Sequence, residues 1–262
     1  MGFQEDHIQL IERKRRRRGL YPLIAGFLII VIIIGSIGVF SFYSRERSIV
    51  IIPISGELYT GDVSDAGVSG SAQIGRELIN AADDGLVDAI VLRVNSPGGT
   101  PAAAQEIIQD LEYARSKKPV VVSIGDMATS AAYYVCAYAD RIYANPDSIT
   151  GGIGTIWIFY DISAWMQKEG YSVTIIKSGE SKDMTYPYRS LSSDEESYAR
   201  ELVNRSFERF ITDVTVQRNI SRSILEDGRL IRGEEAMSVG LVDEMGNLQT
   251  AVAGARKLAA ER

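Results

Sequence analysis

The sequence predicts an α/β fold with a mostly parallel sheet, preceded by one N-terminal transmembrane helix. From Ser48 onward, short Ile- and Val-rich runs alternate with helically spaced apolar residues, the pattern of strands buried on both faces. Residues 20–43 carry no charge, and a helix of that length crosses a hydrocarbon core of about 30 Å. A chain of 262 residues that is 45% hydrophobic suits one sizeable domain with an appendage and excludes a disordered or fibrous polymer.

The elements follow in chain order. Residues 1–19 form a basic tail whose run from Arg13 to Arg18 places the N-terminus in the cytoplasm by the positive-inside bias. The span 20–43 exceeds a secretory apolar region of about 7–15 residues and lacks a small-x-small exit, so it is expected to remain as an anchor in the cytoplasmic membrane. Residues 44–262 form one extracytoplasmic domain. Strands are expected at Ile49 to Ile54, Val87 to Val94, Val120 to Ile124, Arg141 to Ala144, Thr155 to Phe159 and Val173 to Lys177. Thr100-Pro101 pairs a cap with a first-position proline and opens a helix burying Ala104, Ile107, Ile108 and Leu111. Ser192 and Glu195 have capping-box spacing and open a long helix expected to bury Leu202, Val203, Phe207, Phe210, Ile211 and Val214.

The charge balance narrows the partners. The chain has a net charge of −6, and setting aside its basic tail leaves the domain more acidic still. That opposes binding to a nucleic-acid backbone. A single Cys and a single His, His7 in the tail, exclude a disulfide framework, a multi-cysteine zinc site and any imidazole base in the domain. No metal or other cofactor is expected.

Three glycine-bearing segments follow strand ends, where α/β proteins build sites. In Asn95-Ser96-Pro97-Gly98-Gly99-Thr100, paired glycines can expose N–H groups to an oxyanion or simply make a turn. In the segment from Gly125 to Tyr134, Ser130 at a strand-to-helix junction is either an exposed nucleophile or a helix cap. In the loop from Ile176 to Asp183, Lys182 is a solvated charge unless the domain uses a serine nucleophile. In that case lysine supplies the base that histidine cannot, with its pKa depressed by about 3 units through burial. Cys136 reads as a structural thiol, Asp83-Asp84 and Asp194-Glu195-Glu196 as solvated helix ends, and the many tyrosines as packing, subunit or cleft contacts.

In this order, and behind one anchor, these segments resemble the short-form bacterial and archaeal signal peptide peptidase A family. The resemblance runs from about Ile49 to Gly246 and includes Leu92 to Gly99, Met127 to Ser130, Thr150-Gly151-Gly152-Ile153-Gly154, Ser178 to Asp183 and Gly240 to Glu244. It implies a Clp-protease/crotonase fold, Ser130 as nucleophile, Lys182 as general base, and an oxyanion hole from the N–H groups of Gly99 and Ala131. It also implies a homo-oligomer whose grooves are completed by neighbours, and hydrophobic peptide substrates at the bilayer, such as remnant signal peptides. Two positions depart from the family: Ala131-Ala132 replace two glycines, and Gly152 replaces a serine that orients the lysine. Thr150, Ser148 and Ser178 are the candidate substitutes. A catalytically idle membrane scaffold and a crotonase-like acyl-CoA enzyme are the alternative readings of the same fold.

Overall fold

Residues 27–36, 48–62 and 67–262 are described in the computed structural model. The chain divides at Glu46/Arg47 into two units. In the first, residues 27–36 are helical (α1), with Phe27 to Ile34 exposed. Among the described residues no helix is long and apolar enough to cross a membrane. The remainder of the expected span 20–43, and the basic tail, lie outside the described residues.

The second unit is built on β1 (Ile49–Tyr59), β2 (Val68–Gly70), β3 (Ala89–Gly99), β4 (Val120–Ala128), β5 (Arg141–Ala144) and β8 (Glu244–Met245). These lie in the order β2-β1-β3-β4-β5-β8, every neighbouring pair parallel. A small extension leaves β4: β6 (Ile149–Gly151) pairs with it through Met127, and β7 (Leu230–Arg232) runs antiparallel to β6. The helices are α2 (Ser71–Asp83), α3 (Pro101–Lys117), α4 (Ala131–Cys136), α5 (Ser163–Lys168), α6 (Ser193–Arg218), α7 (Gly233–Ser238) and α8 (Leu248–Glu261).

Burial on both faces explains the unbroken apolar strands. Leu92, Val94, Val122 and Ile124 face α2 and α3 through Leu78, Ile107 and Leu111, whereas Ala89, Val91 and Val121 face Ala251, Val252 and Ala255 of α8. The expected stripe on α3 is buried, and its Thr100 cap accepts from the Ala103 N–H at 3.3 Å. Both halves of the capping box that opens α6 are also formed.

Two expected strands are absent. Residues 155–159 and 173–177 form no regular secondary structure and pair with no strand, and Ile156 and Ile176 are 82% and 96% exposed. Their β-branched composition favours pairing, yet no sheet edge of the described residues reaches them, so the β preference goes unsatisfied. Leu202, Val203 and Phe207 are only half-buried: Val203 and Phe207 line a groove, Phe207 while also packing against the core. β3 also continues through Asn95 to Gly99, where a turn was one reading. A shift in register between Val94 and Ser96 lets the strand bend without ending.

Candidate active site

The end of β3 and the turn after β4 are bound to each other. The Thr129 N–H donates to the Ser96 carbonyl at 3.2 Å, and the Thr129 hydroxyl donates to the Pro97 carbonyl at 2.9 Å. Gly98, at φ 110°, lies against the serine turn so closely that a Cβ there would stand 2.9 Å from Ser130 Cβ. A third segment supports them, the Ser130 N–H donating to the Gly151 carbonyl at 2.9 Å. Thus the 95–99, 127–131 and 150–154 segments converge.

Ser130 has φ 52° and ψ −129°. With the Ala132 N–H bonded to the Thr129 carbonyl at 3.0 Å, it takes the position of a type II′ turn that normally needs glycine. Ser130 occupies the N-cap position of α4, but its side chain makes no cap hydrogen bond. The structure therefore withdraws the capping reading and leaves a half-exposed hydroxyl with no hydrogen-bond partner among the described residues. A side chain held in so uncommon a conformation without a structural bond is a mark of a functional position.

Gly99 and Ala131 line the same concavity of about 100 Å³ as Ser130. Ala131 is the first residue of α4, so its N–H has no acceptor within the helix. Tyr134, Phe210 and Ile156 form apolar walls, with Arg209 and Ser206 of α6 beside them. These α6 residues were not singled out in the sequence, where their helix reads as an ordinary amphipathic one.

Lys182 is elsewhere. It is exposed and lines a separate concavity of about 540 Å³ with Ile175, Ile176, Tyr186 and Tyr188. Within one chain the structure does not bring Lys182 to Ser130, and its ammonium group has no partner among the described residues. Of the candidates to orient it, Thr150 and Ser148 are buried and donate to the Ala128 and Gly125 carbonyls at 2.7 and 2.6 Å. Ser178 shares the concavity of Lys182. A Cβ at Gly152 would lie 3.5 Å from the Ser130 N, so a side chain at 152 would stand beside the serine turn.

The Lys182 loop is held by charge. Asp183, only 4% exposed, accepts from Arg189 at 2.6 and 3.0 Å and from Lys177 at 2.8 Å. Arg189 also donates twice to Glu195, at 2.7 and 2.8 Å. Glu195 is therefore not a solvated helix end but a buried partner, also 4% exposed. Arg189, and then the Ser192 N–H, bring the Glu195 carboxyl down from 4.5 to about 2. Arg189 and Lys177 hold the Asp183 carboxyl well below its usual range. Lowered carboxylate pKa values stabilise the fold above the unfolded value, and the contribution is lost as pH falls through the folded one. The Ile162 N–H donates to the Pro187 carbonyl at 2.9 Å, joining Trp165 and α5 to the same segment. Tryptophan emission is therefore expected to change on acidification between about pH 4 and pH 2. Arg189→Met should show the acid-state emission already at neutral pH, and emission identical to wild type across the titration would refute this role.

Cys136 is fully buried, and burial pushes its thiol up to about 12, as an inert structural thiol requires. The Tyr133 hydroxyl donates to the Leu241 carbonyl at 2.7 Å, a packing role. Among the described residues no cluster of three His, Cys, Asp or Glu could hold a metal.

An α/β sheet that presents a strained serine at a strand-to-helix turn has the geometry of enzymes that expose a serine hydroxyl for hydrolysis. Comparison with known proteins agrees. Residues 112–262 match peptidase family S49, and the chain belongs to that family. It is 36% identical over 191 residues to a Methanocaldococcus jannaschii protein provisionally named a protease, covering 70% of this chain and 61% of that one. It is 33% identical over 187 residues to an Enterococcus faecium protein provisionally named signal peptide peptidase SppA, covering 69% and 54%. The chain thus spans between half and two thirds of these relatives. A variant of the 1510-N membrane-bound stomatin-specific protease superposes with a TM-score of 0.55 at 16% identity, covering 80% of this chain and 84% of that one. That likeness bears on the fold, and it is consistent with the expected Clp-protease-like architecture.

Proposed function

We propose that the chain is a membrane-anchored serine endopeptidase in which Ser130 attacks the scissile carbonyl and Lys182 is the general base. The observation that carries the reading is Ser130 itself, held at φ 52° with a hydroxyl that makes no cap bond and has no partner among the described residues. The Gly99 and Ala131 N–H groups receive the oxyanion. Neutral Lys182 takes the hydroxyl proton and delivers it to the leaving amine, then activates the water that releases the acyl group.

Lysine acts this way only when it is removed from water, and in a single chain Lys182 is exposed. The reading therefore includes assembly. Ile156, Ile158, Tyr160, Tyr171 and Ile176, all exposed on the arm between β6 and α6, supply an apolar surface for a second copy to cover. The uncharged segment 20–43 would hold the domain outside the cytoplasm, at the membrane face where hydrophobic peptides such as remnant signal peptides emerge. The net negative charge fits peptide substrates and not nucleic acid.

A second reading, an idle scaffold, draws support from the solvated Lys182 and from the absence of a hydroxyl at Gly152. A fluorophosphonate probe decides between them. Full-length protein in detergent is expected to be labelled at Ser130, with no label in Ser130→Ala. An unlabelled wild type, intact and assembled, would favour the scaffold.

A further inference from the structure

We infer that Arg209 sets substrate preference by binding a substrate carboxylate in the pocket beside Ser130, an inference that rests on the peptidase reading above. The pocket has apolar walls, Tyr134 and Phe210 packing with ring centroids 4.6 Å apart, and Arg209 is its cationic lining residue. Ser130 also lines the larger groove under α6, but of the two only this pocket joins it to Gly99 and Ala131, which places the pocket to take the side chain of the residue whose carbonyl is attacked.

Other arginines of α6 are paired. Arg200 meets Glu196 at 2.7 Å, Arg205 meets Glu201, and Arg218 meets Asp243 at 2.7 Å. Arg209 has Asp213 one turn further along, the spacing at which such pairs form. The Asp213 carboxylate instead accepts from the Tyr134 hydroxyl. Among the described residues Arg209 has no ion-pair or hydrogen-bond partner, although the chain as a whole carries an excess of acid. Arg209 is exposed at the rim of a groove beside a nucleophile, with its guanidinium free to meet a planar carboxylate, which it can grip with two parallel N–H donors. The methylenes of a glutamate would lie along the apolar walls. A free C-terminal carboxylate has the same chemistry.

The test uses matched peptides with Glu, Gln or Lys at the residue before the cleaved bond, each with a free and an amidated C-terminus. Full-length protein is expected to favour Glu over Gln by about tenfold in kcat/KM, the difference between a charged and a neutral hydrogen bond, with the ratio shrinking as salt is raised. Arg209→Gln should bring the ratio to near one, and Arg209→Glu should turn it in favour of Lys. A Glu-over-Gln preference that survives amidation assigns the side-chain carboxylate; Glu and Gln peptides that are treated alike but are favoured with free over amidated termini, in an Arg209-dependent way, assign the terminal one. The same peptides are also titrated by fluorescence anisotropy against Ser130→Ala, with and without Arg209→Gln, so that the binding preference is read without catalysis. Equal binding and equal cleavage of Glu and Gln peptides, with free and amidated termini alike, would overturn the inference while leaving Ser130-dependent hydrolysis standing. Hydrolysis that persists in Ser130→Ala would instead sink the peptidase reading, with the binding ratio still reporting on Arg209.

Discussion

Replacing Ser130 by glycine is expected to abolish peptide hydrolysis and, at the same time, to make the folded domain more stable. Loss of the hydroxyl removes the proposed nucleophile, which in serine peptidases costs about 10⁴-fold or more in kcat. The stability gain comes from the backbone. At φ 52° and ψ −129° an L-residue carries roughly 1–3 kcal/mol of strain, which glycine relieves while giving back about 0.5–1 kcal/mol in unfolded-chain entropy. A net gain of about 1 kcal/mol corresponds to a rise in Tm of about 2–4 °C for a domain of this size. Ser130→Ala is the control: it should be equally inactive but without the rise, because alanine keeps the Cβ that opposes a positive φ. Activity in either variant would remove Ser130 from the chemistry. A glycine variant that melts earlier than wild type would instead show that the turn is not strained.

The strained turn also shows how far residue types alone can be read. Strands β3 and β4 were legible because their first halves are buried on both faces and so read as near-continuous apolar runs, whereas β1 alternates buried Ile52 and Ile54 with exposed neighbours. The caps at Thr100 and Ser192 were legible because their chemistry is local. The short strands β2, β6, β7 and β8 span two or three residues each, too few to show an alternation. Residues 155–159 and 173–177 failed in the opposite sense: their composition is that of strands, but strand formation needs a neighbour, and the described residues of one chain provide none. At the candidate site, Gly98 and Ser130 could be placed on adjoining loops from sequence. Their contact could not, since it depends on the bend in β3. Arg209 was invisible for a similar reason. An arginine among helix charges looks paired until the carboxylate one turn along is found bonded to Tyr134.

Lys182→Met is expected to lower kcat/KM by about 10³–10⁴-fold, in the range of the loss of a general base together with its alignment. Lys182→Arg should not restore it, because guanidinium stays protonated at any accessible pH. In wild type, kcat/KM should rise with pH, because only a deprotonated amine can accept the hydroxyl proton. In a lone chain that side chain meets water and lines a concavity apart from Ser130, so the serine would have no acceptor. Specific activity should therefore climb with protein concentration and vanish on dilution below the assembly threshold. Mixing inactive Ser130→Ala with inactive Lys182→Met, and allowing subunits to exchange, distinguishes two ways of meeting that need. If the hydroxyl and the amine come from different copies, the mixture regains hydrolysis because some sites receive both intact groups. If it stays inactive while either variant still assembles, the arm must fold back on its own chain, with the neighbour serving only to exclude water from the amine.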